Sequence, residues 1–438
     1  MSGLAFCRAP AWRWPGRAGA ALRARLLPTL LPVLLLLPAW YYKHPLLFAW
    51  RHLEAALWLI LPGVALWRWR RLGWLPRILL AAALLLAGGQ EIVWRWQREA
   101  VLAAGPAMRA VGRHFVVGYT DFAEVAELAE KGLIGGVYLT QRNIRGRDFA
   151  AVRDEIAALQ ERRRRAGLPP LLVTADQEGG RINHLSPLLD RQPPLSELAQ
   201  ADDPGAAARR YGQRQGTALA ALGVNLNFAP VVDLKPAERT EDDLFSNIPA
   251  RAISAEPESV AVIAAGYLDG LQAAGVRGTL KHFPGLRRVD RDTHLLAAHL
   301  AASPAEMAAD WLPFRALAGH AGSAIMLGHV TLDALDPERA ASHSPAVVAG
   351  LLRRDWAYDG ILLTDDLNMG AVYNLGIGQV AAQALAASVD LALVSYDPRQ
   401  LYRALYGAAT ALQDGRITPA TLAESERRLA GFFVAEPR

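Results

Sequence analysis

VRGTLKHF, residues 276–283, is a short apolar run that ends in a base and an imidazole, and the chain continues through Pro284-Gly285 to Asp292-Thr293-His294. A run of this length, rich in apolar residues and closed by Pro and Gly, reads as a buried strand. Seven others share its form: RHFVVGY (113–119), IGGVYLT (134–140), PLLVTADQ (170–177), VNLNFAPVVD (224–233), SAIMLGHV (323–330), GILLTDD (360–366) and VDLALVS (389–395). Ala-rich segments with helical spacing separate them, among them FAAVRDEIAALQERRRRAG and ESVAVIAAGYLDGLQAAG. Buried strands alternating with amphipathic helices make parallel βα units. Eight such units predict an α/β fold of the (β/α)8 TIM-like barrel type, with chemistry at the C-terminal strand ends. The alternative is a doubly wound open sheet, but no Gly-rich phosphate fingerprint follows the first strand.

The residues at those strand ends are Asp176, Glu178, Asp233, Lys281, His282, His329, Asp365 and Asp366. This is more charge than helix caps and core ion pairs require. Asp292 and His294, two residues apart, can share a face of an extended segment. A carboxylate paired with an imidazole is common proton-transfer equipment.

The formal charge of +5 divides unevenly along the chain. Residues 1–100 hold 13 Lys or Arg against three acids, while residues 101–438 hold 34 bases against 39 acids. The globular part is therefore net acidic, and a nucleic-acid partner is not expected. Ten of the 12 tryptophans also fall in the first 100 residues, beside arginines at the borders of three apolar stretches: Leu26–Tyr42, Leu53–Trp67 and Leu72–Ala87. Indole and guanidinium groups flanking apolar runs suit a membrane interface. Residues 1–100 are read as a membrane anchor of two to three transmembrane helices, with the lipid bilayer as partner, and residues 101–438 as the catalytic domain. Five arginines in the first 25 residues and RWRR at 68–71 lie two crossings apart and so on one side, which the positive-inside rule makes cytoplasmic. Three spans then place the catalytic domain on the outer, periplasmic face of the inner membrane; two would leave it inside. The single Cys7 allows neither an intrachain disulfide nor a cysteine-based zinc site, and no metal or cofactor is expected.

Five stretches together resemble glycoside hydrolase family 3, in particular its single-domain bacterial β-N-acetylhexosaminidase branch: DQEGGRI (176–182), NLNFAPVVDL (225–234), KHFPG (281–285), DTH (292–294) and TDDLNMGAV (364–372). They occur in the family's order. The resemblance implies a retaining exo-β-N-acetylglucosaminidase that removes terminal N-acetylhexosamine from cell-wall fragments or related glycosides. It implies Asp365 as nucleophile, His294 as proton donor and Asp292 as the acid that orients it. Lys281 and His282 would bond sugar hydroxyls, Asp176 would grip the far hydroxyls, and Arg251 would lie near the acetamido group. The chain departs from the family pattern at two places. Leu286-Arg287 replaces the usual His-Gly after KHFPG, and His184 stands where the family has an arginine eight residues after Asp176. Arg287, Arg288 and Arg291 on the catalytic loop suggest an anionic leaving group. The same dyad also suits a glycosyl phosphorylase or transglycosidase, and a non-catalytic sugar-binding membrane protein is the non-enzymatic alternative.

Overall fold

The computed structural model describes residues 39–53, 73–237 and 245–434, together with Leu30, Leu36 and Trp67. The chain divides into two compact units, Met1–Trp96 and Gln97–Arg438. Of the three apolar stretches, Leu26–Tyr42 and Leu53–Trp67 lie mostly outside the described residues. From Trp74 on, the third belongs to helix α1, Trp74–Leu102, which runs 15 residues past Ala87 and has 29 residues in all. At the helical rise this is about 44 Å, more than the ~30 Å of a hydrocarbon core, and its composition is apolar enough to cross one. Of its two acids, Glu91 accepts from Tyr42 Oη at 2.7 Å and pairs with Lys43 Nζ at 3.0 Å.

In the second unit all eight expected strands form. They are β1 (Phe115–Gly118), β2 (Gly136–Leu139), β3 (Leu172–Ala175), β4 (Leu226–Asn227), β5 (Thr279–Phe283), β6 (Ala324–Leu327), β7 (Leu362–Asp366) and β8 (Leu391–Val394). Each pairs in parallel with its sequence neighbour from β1 to β4 and from β5 to β8, and β8 pairs in parallel with β1. Between β4 and β5 the ladder shrinks to two isolated parallel bridges, Leu226 to Arg277 and Val231 to Lys281. The result is a nearly closed parallel sheet of eight strands, the arrangement of a TIM-like barrel. Helices return the chain between strands, for example α2 (Phe149–Arg165), whose first turn is capped by Asp148 accepting from Ala151 N at 2.7 Å. Val116, Tyr138, Leu172, Phe228, Met326 and Leu363 belong to one buried cluster.

At the N-terminal end of β8 the buried carboxylate Asp390 organises the barrel floor. It accepts from Leu362 N at 2.8 Å, Arg353 Nη2 at 2.6 Å, Ser425 Oγ at 2.7 Å and Arg428 Nε at 2.8 Å. Ser425 and Arg428 come from the last helix, Pro419–Val434, so one carboxylate ties that helix to β7 and β8. Removing it leaves Arg353 without its counter-charge and Arg428 with only the more distant Asp359, at 3.8 Å, both largely buried. Asp390→Ala should cost about 3–5 kcal/mol of unfolding free energy, read by chemical denaturation; a loss below about 1 kcal/mol would show that the floor does not depend on this carboxylate.

Candidate active site

The C-terminal ends of β3 to β7 bring the charged residues together. Asp365 and Asp366 are consecutive on β7, where the register with β8 shifts, and their carboxylates have different partners. Asp366 is committed to structure: it accepts from Asn368 N at 3.0 Å, Asn368 Nδ2 at 2.9 Å, Ser395 Oγ at 2.6 Å, Ser395 N at 3.1 Å and Tyr396 N at 2.8 Å. Asp365 has one described partner, the Asp366 N–H at 2.7 Å. Burial pushes the Asp365 carboxyl up, but the imidazoles of His282, His329 and His294 outweigh it, and the group is held below the usual carboxylate range. It is thus an anion with lone pairs to spare.

His329, after β6, stands behind this strand end. Its Nε2 faces the Asp366 carbonyl at 3.0 Å, and its Nδ1 faces Ser342 Oγ at 2.8 Å. A carbonyl only accepts, so Nε2 carries the proton and Nδ1 accepts from the hydroxyl. Burial lowers its pKa.

Asp292 and His294 sit in a turn rather than on an extended segment. The N–H groups of Leu295 and Leu296 both donate to the Asp292 carbonyl at 3.0 Å. The Asp292 carboxylate folds back to accept from His294 N at 2.9 Å and from His294 Nδ1 at 2.8 Å. Phe245 N at 2.5 Å, Ser246 Oγ at 3.2 Å and Ser246 N at 3.3 Å also donate to it. Burial raises the Asp292 pKa, but these donors, His294 first, bring it well below the usual range. For His294 burial works downward, and the Asp292 hydrogen bond followed by the charges of Asp365 and Asp292 more than reverses it, so the imidazolium is favoured. The Asp292 side chain is 2% exposed and that of His294 42%, so the acid is sheltered while the imidazole is partly open to solvent. The dyad turn is also tied to the turn after β7: Gly370 N donates to His294 O at 2.8 Å and Ala371 N to Thr293 O at 3.2 Å. Only glycine permits this approach, because a Cβ at 370 would lie 2.3 Å from Leu295 O.

A second cluster adjoins the dyad. Lys281 pairs with Asp176 and, at 2.6 Å, with Glu178. Arg251 holds Glu178 with two parallel bonds, Nη2 to Oε1 at 2.7 Å and Nε to Oε2 at 2.9 Å, and donates Nη1 to Ser246 O at 2.8 Å. It also approaches His282 Nε2 at 3.3 Å, while His282 Nδ1 donates to Asp233 at 2.7 Å. Tyr138 donates to Asp176 Oδ2 at 2.6 Å and accepts from His184 Nδ1 at 2.9 Å. Burial pulls Lys281 down, but the charges of Asp176 and Glu178 hold it above its usual value, so the ammonium persists.

Seven of the eight expected site residues therefore lie on one hydrogen-bond network: Asp292, Arg251, His282, Lys281, Asp176 and His184, with His294 at its end. The eighth, Asp365, is coupled to His282 and His294 through charge. Arg287 grips the buried Asp310 through Nε at 2.9 Å and Nη2 at 2.8 Å, and Arg288 Nε reaches the same carboxylate at 3.2 Å. Two of the three loop arginines therefore share one buried carboxylate, which offsets one of their two positive charges. Glu178, Asp233, Tyr138 and Ser246 were not expected as site residues. The two acids were visible as strand-end charges, and Glu178 has the two-residue spacing to Asp176. Ser246 and Phe245 left no signal, since they meet Asp292 across 46 and 47 residues of sequence.

The family model described as the glycosyl hydrolase family 3 N terminal domain matches residues 108–431. The chain belongs to that family. A β-hexosaminidase of Pseudomonas aeruginosa is 33% identical over 299 residues, which span 68% of this chain and 84% of the relative. A solved glycoside hydrolase family 3 β-N-acetylglucosaminidase from Paenibacillus sp. superposes with a TM-score of 0.68 at 31% identity, covering 74% of this chain and 61% of its own. A solved β-N-acetylhexosaminidase from Beutenbergia cavernae gives 0.67 at 28% identity and is covered over 99% of its length, against 75% of this one.

The electrostatics of the dyad make a directional prediction. The His294 imidazole should titrate above the 6.5 of an ordinary histidine, and Asp292→Asn should lower it, because burial then acts with only the Asp365 charge against it. Histidine-labelled NMR titration reads both values, and an unchanged midpoint in the variant would show that Asp292 does not hold the proton on His294.

Proposed function

We propose that the protein is a retaining exo-β-N-acetylhexosaminidase in which Asp365 is the nucleophile and the Asp292–His294 pair the acid/base. The observation that carries this reading is the 2.8 Å bond from His294 Nδ1 to a sheltered Asp292, electrostatically coupled to an anionic Asp365, in a chain of this family. The names of the relatives favour an N-acetylhexosamine as the sugar removed.

The steps follow from the groups present. An Asp365 oxygen attacks the anomeric carbon as the bond from that carbon to the leaving oxygen breaks, and the proton on His294 Nε2 passes to that oxygen. The aglycone departs as an alcohol and the sugar remains as an ester on Asp365. Water then attacks the same carbon, giving its proton back to His294 and freeing the Asp365 carboxylate. Asp292 keeps the protonated nitrogen turned outward and lowers the cost of the imidazolium. The depressed Asp365 and the elevated His294 leave a broad range in which one is ionised and the other protonated.

For binding, Lys281 has one N–H beyond its two carboxylate partners, and Asp176 keeps spare lone pairs; both suit sugar hydroxyls. Arg251 is assigned to the acetamido side, with His282 and His184 as further contacts. Cell-wall fragments and related glycosides carrying terminal N-acetylhexosamine are the proposed substrates. The apolar stretches and α1 favour a membrane-anchored enzyme, and the two arginine clusters, read with three spans, favour the outer face of the inner membrane for its domain.

A 5-fluoro N-acetylglucosaminyl donor should leave a covalent adduct that peptide mass spectrometry maps to Asp365, and Asp365→Asn should lower turnover by orders of magnitude. An adduct on Asp366, or none, would reject the assignment. For placement, a reporter active only outside the cytoplasm should report when fused at about residue 105; a silent fusion there with an active one after Lys43 would put the domain on the cytoplasmic face.

A further inference from the structure

Two strands of the barrel carry one residue more than a neighbour, and both carry site residues. From Leu280 to Phe283 on β5, three steps match the two from Ile325 to Leu327 on β6. From Leu363 to Asp366 on β7, three steps match the two from Leu391 to Leu393 on β8. Lys281 and His282 lie within the first shift, Thr364 and Asp365 within the second. An added residue bends a strand and re-aims a side chain, and it disturbs the local ladder of hydrogen bonds. A buried strand end with a disturbed ladder keeps one position only where other donors and acceptors stand in.

At Asp365 the stand-ins are two side chains. On the β8 side, Leu393 N donates to Thr364 Oγ1 at 3.0 Å. On the β6 side the ladder reaches Thr364 opposite Leu327, and two residues farther on His329 Nε2 donates to Asp366 O at 3.0 Å. Thr364 and His329 are 0% and 1% exposed. The two bonds therefore hold the residues before and after Asp365, from the two strands that flank it. The end of β6 also meets the other shift, since Gly328 N donates to Phe283 O at 2.7 Å. Adjacent residues, Gly328 and His329, thus tie the strand of Asp365 to the strand of Lys281 and His282.

His329 is set for this donation. Its Nδ1 accepts from Ser342 Oγ at 2.8 Å, and Ser342 Oγ lies 3.2 Å from His343 Nδ1. A hydroxyl has one proton to give, so His343 Nδ1 is the donor in that second contact. The chain of bonds runs one way, from His343 through Ser342 and His329 to the Asp366 carbonyl. That carbonyl also accepts from Met369 N at 2.9 Å, a bond internal to the turn after β7. The turn therefore has its own closure without His329. What the imidazole adds is the position of the strand end relative to β6.

We propose that His329 and Thr364 are positioning residues for Asp365, holding from its two sides the irregular segment of β7 that aims its carboxylate at the anomeric carbon. The proposal rests on Asp365 being the nucleophile. The test uses the full chain, with the rate of trapping by the 5-fluoro N-acetylglucosaminyl donor and kcat/KM for aryl and methyl β-N-acetylglucosaminides. H329L and T364V each remove one bond with little change of shape. A reacting group displaced by about 1 Å loses on the order of 100-fold in rate, so limiting trapping should slow by about that factor. The donor concentration at half-maximal trapping should stay unchanged. The loss should be equal for aryl and methyl glycosides, whereas a defect in proton donation spares the aryl ones. T364S keeps the hydroxyl, and H329Q places an amide N–H toward the same carbonyl; both should recover most of the rate. A wild-type adduct on Asp365 with unslowed trapping in H329L and T364V overturns the proposal and leaves the nucleophile standing. So does a loss confined to the methyl glycoside or to the half-maximal concentration, or one that T364S does not restore. Should H329L fail to fold, T364V and T364S carry the same outcomes. A wild-type adduct on another residue overturns the reading of Asp365 itself.

Discussion

The ion pair between Arg251 and Glu178 joins the two halves of the site. Its two bonds, at 2.7 and 2.9 Å, use the planar match of guanidinium and carboxylate. The remaining Arg251 nitrogen reaches Ser246 O, and Ser246 in turn donates to Asp292, so the acid that orients His294 is linked to the cluster that would hold the sugar. Both members are nearly enclosed, with side-chain exposures of 11% and 6%. A buried charge without its partner is costly, so the loop carrying Arg251 has little freedom to leave Glu178. The loop after β4 thus fixes the position of a dyad that belongs to the loop after β5.

The dyad solves a problem of charge. Two carboxylates near one another must share a proton, and one is forced upward in pKa. In the proposed roles an imidazole is the donor: the charges of His282, His329 and His294 hold Asp365 below the usual carboxylate range, and the Asp292 bond with the charges of Asp365 and Asp292 favours the His294 imidazolium. Each group stabilises the state that the other needs. The cluster behind them repeats the principle, with Lys281 between Asp176 and Glu178.

Ion pairing also shapes the loop that carries the dyad. Asp310, buried beneath it, draws in both Arg287 and Arg288. A net-charge reading of the loop counts three arginines and misses this, because the compensating acid lies 22 to 23 residues away.

The sequence alone determined the barrel, because each of the eight strands is a local event: a short apolar run stopped by polar residues, followed by a helix whose period is read within a few turns. The roles proposed for Asp365, Asp292 and His294 came from the resemblance of TDDLNMGAV and DTH to the family, carried by residue type and local order. What the sequence did not hold were relations between distant segments. Asp366 differs from Asp365 only because Ser395 and Tyr396 arrive from the next strand to occupy its oxygens. Asp292 is oriented by Phe245 and Ser246 from another loop, and the Asp292–His294 pair is a turn because two backbone N–H groups close on one carbonyl. The fate of Arg287 was likewise decided by a partner on the following helix. Periodicity and spacing are short-range properties, whereas hydrogen-bond saturation and charge compensation are settled only when the barrel brings strand ends together.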